Sequence, residues 1–146
     1  MPSKRLLIVG HVPSPNTLRL REAAVRGASS PDIEGVEVIA ASPFDVGPED
    51  VLAANAILLG TTENLGYMSG ALKDFFDRVY YPVLEEKQGL PYGLYIRAGH
   101  DGTGTRRGVE TIVTGLPMWI HLTYLLAMVV VGILLSIRFL DKRIRQ

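Results

Sequence analysis

Apolar residues in this chain fall into short unbroken runs, each closed by glycine or loop residues, and between the runs lie stretches with helical spacing. Arg5-Leu6-Leu7-Ile8-Val9 is followed by Gly10, and Ala56-Ile57-Leu58-Leu59 is bounded by Gly60; Val36 to Ala41 and Tyr92 to Ala98 have the same character. Runs this short suit strands of a parallel sheet covered on both faces rather than helices. Leu72, Phe75, Phe76 and Val79 are spaced i, i+3, i+4 and i+7, which predicts a helix with Lys73, Asp74, Asp77 and Arg78 on its wet side and Ser69 as N-cap. A helix with Leu18, Ala24 and Val25 among its apolar positions is expected after a loop at 11–17, and a short one at Pro48 to Ala54. Strands alternating with helices imply βαβ units with right-handed crossovers, hence an α/β doubly wound parallel sheet.

The pattern changes at the C-terminus, where Leu116 to Ile137 holds no Asp, Glu, Lys or Arg across 22 residues. A helix of about 20 apolar residues spans a bilayer core, so a transmembrane helix is the first reading, with membrane contact through residues 116–137. Trp119 and Tyr124 would lie toward one interface and Arg138, Lys142, Arg143 and Arg145 at the other. The positive-inside rule would put that cluster in the cytoplasm and the large N-terminal part across the membrane, yet no cleavable signal peptide is evident and a cytoplasmic domain is expected. A helix buried in a dimer or against the sheet edge, or a final strand within Met128 to Ile137, are the competing readings. The division is therefore 1–115 for the α/β domain and 116–146 for the apolar segment and its basic tail.

Charge and composition narrow the chemistry. Of 15 basic and 15 acidic residues, four basic and one acidic lie in 116–146, which leaves the body mildly acidic and gives no reason to expect nucleic acid. With no cysteine, disulfides, Cys-based zinc sites and thiol catalysis are excluded. His11, His100 and His121 lie far apart without ligand spacing, so no metal site is expected.

Loops at 11–17, 61–70 and 99–104 each follow a strand end, and in a doubly wound sheet they open on the same edge, where one ligand can touch all of them. In the first, Ser14 and Thr17 offer hydroxyls, Asn16 an amide, and the following helix a positive dipole end, a set suited to phosphate; the bland alternative is that these residues only cap the helix. In the second, Gly66 permits close backbone approach, Asn64 donates and accepts, and Tyr67 can present an aromatic face to a planar ring. In the third, Gly99, Gly102 and Gly104 surround His100 and Asp101, and His100 can titrate near neutrality.

The stretch Gly60-Thr61-Thr62-Glu63-Asn64-Leu65-Gly66-Tyr67-Met68-Ser69-Gly70-Ala71-Leu72-Lys73-Asp74-Phe75-Phe76-Asp77-Arg78 resembles the G-T-P-x-x-x-G-x-M-S-G-x-x-K-x-F-x-D-R segment of flavodoxin-like FMN proteins, in particular the NAD(P)H-dependent quinone or FMN reductase branch. The resemblance spans about residues 4 to 115. It implies FMN as cofactor, with Thr61 and the run Glu63, Asn64, Leu65, Gly66, Tyr67 beside the isoalloxazine. Ser14, Asn16 and Thr17 would hold the phosphate, and Ala98, Gly99, Asp101 and Gly102 would line the ring's other side.

Two departures stand out. Pro15 occupies a place where that branch has glycine, and proline has no N–H to give a phosphate. After Gly115 the family continues with a fifth strand and a last helix, whereas this chain has its apolar segment, so the sheet is expected to lack the usual last strand. The resemblance further implies NAD(P)H as co-substrate, a quinone or similar small molecule as electron acceptor, and a homo-oligomer. His100 is the candidate proton donor to the acceptor. The alternative is a membrane-tethered electron carrier or interaction module without turnover of its own, although a surplus of only three acids in 1–115 is small for a carrier that docks by charge.

Overall fold

The structure, a computed structural model, describes residues 4–114. The chain divides between Val113 and Thr114 into two units, and the sheet with its helices belongs to the first. The order is β1 (Lys4–Gly10), α1 (Pro15–Ala28), β2 (Val36–Ala41), α2 (Pro48–Ala53), β3 (Ala56–Asn64), β4 (Tyr67–Met68), α3 (Gly70–Val83), β5 (Tyr92–Arg97) and α4 (Thr103–Thr114). Strands β2, β1, β3 and β5 lie side by side in that order and all pair in parallel, while β4 folds back antiparallel on the end of β3. No strand pairs beyond β5 among the described residues. Residues 116–137 lie outside them, and within them no helix is long and apolar enough to cross a membrane.

The period of two along the strands sorts their side chains onto two faces. Leu7 and Val9 of β1 and Ile57 and Leu59 of β3 meet the α3 stripe predicted from the sequence, Leu72, Phe75, Phe76 and Val79, and Val109 of α4 closes the same core. On the opposite face Ile8 is fully buried, and α1 packs there against β1 and β2. Ser69 caps α3 as expected, its hydroxyl accepting from the Leu72 N–H at 3.3 Å.

Arg78, the last residue of the recognised stretch, has a tertiary task that its sequence position does not reveal. Its guanidinium donates to the Pro43 carbonyl at 2.5 Å, the Val46 carbonyl at 2.7 Å and the Asp74 carboxylate at 2.8 Å, tying the β2–α2 loop to α3. Arg78→Met keeps the aliphatic packing and leaves those carbonyls without donors. It is expected to lower stability by about 1–2 kcal/mol, read as a shift of the urea midpoint at unchanged slope.

The elements depart from the sequence reading in three main places. The strand expected to stop at Gly60 runs on to Asn64, so Thr61 to Asn64 are strand and not loop. Gly60 is needed there for space: a methyl group on it would collide with the Tyr95 ring, which lies across it from β5. Helix α1 begins at Pro15 rather than after Thr17, because proline suits the first helical position and Ser14 and Thr17 form a capping box. Helix α4 was not anticipated at all: Gly104 and Gly108 lower its intrinsic helix preference, and the spacing of Val109, Ile112 and Val113 is its only periodic signal.

Candidate functional site

The sheet order reverses at β1, which has β2 on one side and β3 on the other. In open α/β sheets the crevice at such a point, beyond the carboxyl ends of the strands, is where ligands bind. Since β1, β3 and β5 are parallel, the segments leaving them emerge on the same rim. They are also laced together. The His11 N–H donates to the Gly60 carbonyl at 2.9 Å, which joins the first segment to β3. Gly104 of α4 packs so tightly on the Gly66 carbonyl that no side chain fits between them, which joins the second to the third.

In the first segment the hydroxyls serve the cap of α1. Thr17 is buried; its Oγ1 donates to the Ser14 carbonyl at 2.7 Å and accepts from the Ser14 N–H at 3.0 Å, while Ser14 Oγ accepts from the Thr17 N–H at 3.4 Å. The capping role weighed in the sequence is thus present, and the Thr17 hydroxyl expected to face a phosphate is engaged with the backbone of its own turn. Pro15 has no N–H, so the first turn offers an anion the Asn16 amide and the helix dipole.

The second segment is a β-hairpin. Glu63 pairs with Met68 and Asn64 with Tyr67, and Leu65 and Gly66 form the turn, with φ of 53° and 75°. Both values are positive, as a type I′ turn requires. The Thr61 hydroxyl is buried and bonded to Ser69 Oγ at 3.0 Å, and it accepts from the Ser69 N–H at 3.1 Å. Tyr67 lays its ring on Gly108 of α4, where a methyl group would collide with it, and is partly exposed. Leu65 stands fully exposed at the tip in a backbone conformation that disfavours branched or bulky side chains. Leu65→Asn is expected to stabilise the protein by about 1 kcal/mol, measured by thermal unfolding.

In the third segment, Asp101 accepts from the Thr103 N–H at 2.9 Å and so caps the start of α4; this bond holds its carboxyl below the usual range. Gly102 sits at φ 71°, where a side chain would be strained. The His100 side chain is 91% exposed and its Nδ1 lies 3.9 Å from Asp101 Oδ1. Ala98 and Gly99 belong to the connection between β5 and α4.

The rim also contains polar atoms that are buried without a hydrogen-bond partner: His11 Nδ1 after β1, Thr62 Oγ1 on β3 and Thr105 Oγ1 in the first turn of α4. Buried polar groups are almost always paired, so orphans from several elements at one rim suit a polar ligand that completes them. Burial holds the His11 imidazole below its ordinary pKa, and its ring meets Phe44 edge-on with the ring centres 6.5 Å apart. His11, Thr62, Thr105 and Phe44 are not among the candidate site residues read from the sequence. Thr62 has a signal in the sequence, being next to Thr61 in the recognised stretch; the burial of Thr105 depends on a helix that the sequence barely announces. Among the described residues no group of His, Asp and Glu could hold a metal ion.

A sheet of this order, with its crevice and hairpin, defines the flavodoxin-like fold, and comparison with known proteins agrees. A flavodoxin from Aquifex aeolicus (strain VF5) is 30% identical over 112 residues, which make up 77% of this chain and 60% of that protein. The chain thus spans less than two thirds of that relative's length. A WrbA-like flavodoxin from Agrobacterium tumefaciens superposes with a TM-score of 0.56 at 22% identity, covering 76% of this chain and 70% of the other. The Trp repressor binding protein of Bacillus subtilis does so with a TM-score of 0.53 at 24% identity, covering 75% and 74%. No family model matches the sequence.

Proposed function

We propose that this chain is an FMN-dependent oxidoreductase passing electrons from NAD(P)H to a quinone or a similar small acceptor. The observation that carries the reading is that the three rim segments are joined to one another, and that His11, Thr62 and Thr105, one from each strand exit, carry buried polar atoms without a hydrogen-bond partner. The name of the 30% identical relative gives independent support for a flavin protein.

The residues present fit such a group. Asn16 and the dipole of α1 would meet the phosphate, the backbone of Glu63 to Tyr67 would flank the ring, and Ala98, Gly99 and Gly102 would line its other side. Bound FMN would supply hydride acceptance from a nicotinamide and electron delivery to the second substrate. The chain's own part would be positioning: backbone N–H groups at the hairpin turn would meet developing charge without reorganisation, and Leu65 gives the tip an apolar surface. His100, which is open to solvent, would hand a proton to the acceptor. Unchanged quinone turnover across pH in His100→Gln would remove that role.

A second reading, an electron carrier, is favoured by the relative's name alone. The test is to load the full chain with FMN, record the visible flavin band, and follow NADPH and NADH oxidation with a quinone. Turnover is expected; a loaded protein that does not oxidise either nicotinamide is a carrier, and a chain that retains no flavin sinks both readings. Detergent dependence in the same assay tests membrane contact through residues 116–137, and sedimentation tests the homo-oligomer.

A further inference from the structure

Helix α1 turns its inner stripe, Thr17, Leu18, Arg21, Ala24, Val25 and Ala28, away from full exposure, and all but one of these are small or apolar or engaged in the cap. The exception is Arg21. Its methylenes lie against the end of β1: a methyl group placed on Gly10 would sit 3.0 Å from Arg21 Cδ and 2.8 Å from the Tyr95 hydroxyl. Gly10, Gly60 and Tyr95 stand in register across β1, β3 and β5, and the paired glycines are what let the tyrosine ring lie across the sheet to reach this point.

Neither polar group is used. The Tyr95 hydroxyl is buried with no hydrogen-bond partner. Arg21 forms no hydrogen bond or ion pair among the described residues, and its neighbour in sequence, Glu22, is exposed. A guanidinium carries five donors in a planar fork suited to phosphate and carboxylate oxygens, and a phenol adds a sixth donor. Arg21 Cδ and the Tyr95 hydroxyl both border the space above Gly10, which brings the two side chains within range of one ligand.

We propose that Arg21 and Tyr95 form an oxyanion subsite of the phosphate type on the α1 face of the sheet, beside the end of β1. The subsite offers what the first rim segment lacks, since Pro15 donates nothing and the Thr17 hydroxyl is engaged within its turn. Its ligand is either the phosphomonoester of the cofactor, an assignment that rests on the FMN reading, or a free anion.

The experiment uses the full chain with Arg21→Gln, Arg21→Lys and Tyr95→Phe, comparing FMN with riboflavin by fluorescence quenching and titrating inorganic phosphate by thermal shift. If the subsite takes the cofactor's phosphate, Arg21→Gln weakens FMN binding about tenfold or more while riboflavin affinity stays the same. If it takes a free anion, FMN affinity is unchanged and Arg21→Gln and Tyr95→Phe both abolish stabilisation by phosphate. In either case Arg21→Lys, which keeps charge but not the fork, retains part of the effect. Unchanged FMN affinity together with unchanged phosphate stabilisation in Arg21→Gln and Tyr95→Phe overturns the subsite. Should the chain bind neither flavin, the oxidoreductase reading fails and the phosphate arm alone decides the subsite; if Arg21→Gln does not fold, Arg21→Lys and Tyr95→Phe carry the same comparison.

Discussion

Gly104→Ala is expected to destabilise the protein by about 3 kcal/mol, although the same change in a helix normally stabilises it. The reason is the Gly66 carbonyl, which occupies the space a methyl group on Gly104 would need. A flexible side chain could swing aside, but a backbone carbonyl at a hairpin turn moves only if the hairpin or α4 moves with it. The gain of about 1 kcal/mol from replacing a helical glycine is therefore outweighed. Gly27, exposed in α1 with no atom near enough to meet a methyl group, supplies the control. Gly27→Ala should stabilise by about 0.5–1 kcal/mol. Urea unfolding of the pair reads both signs; equal stabilisation by the two substitutions would show that hairpin and helix are not packed as described. Since this contact joins the second and third rim segments, Gly104→Ala is also expected to weaken flavin binding, whereas Gly27→Ala leaves it unchanged.

Thr61→Val should lower stability by about 2–3 kcal/mol despite its nearly constant volume. Thr61 and Ser69 are both buried, and the Thr61 hydroxyl serves the Ser69 N–H, the Ser69 hydroxyl and the Thr62 carbonyl at 3.0–3.1 Å. Valine would leave the Ser69 N–H buried without an acceptor at the point where the hairpin returns to α3. Thr61→Ser keeps the hydroxyl and is expected to recover most of the loss. Thermal unfolding of the two variants distinguishes this network from simple packing: a small loss in Thr61→Val beside a large one in Thr61→Ser would assign the effect to the methyl group rather than to the hydrogen bonds.

These two positions also show where sequence reasoning reached and where it stopped. Thr61 was singled out as a cofactor contact because it lies in the recognised stretch after a strand; in the folded chain it holds β3 to the cap of α3. Position within a motif could not tell these roles apart, because both need a hydroxyl just past Gly60 and differ only in which side of the backbone it occupies. Gly60 was taken as a strand end, since glycine commonly marks one. Its actual role, making room for Tyr95, depends on a residue 35 positions away that registers beside it only once β3 and β5 pair. Asp101, read as a site residue, spends its carboxylate on the Thr103 N–H, a local bond that became visible with the start of α4.

From the sequence alone came the four parallel strands, the Ser69-capped helix through Leu72 and Val79 and the three segments beyond strand ends, because apolar periodicity, capping hydroxyls and glycine placement act within a few residues of chain. The flavodoxin-like class was legible for the same reason, through one continuous stretch. Tertiary structure decided the rest: that α4 exists and packs on the hairpin, that Arg78 holds a distant loop, and that Arg21 and Tyr95 meet above Gly10. Each of those depends on which groups meet across strands and layers, and steric fit and hydrogen-bond pairing between elements leave no periodic trace in the order of residues.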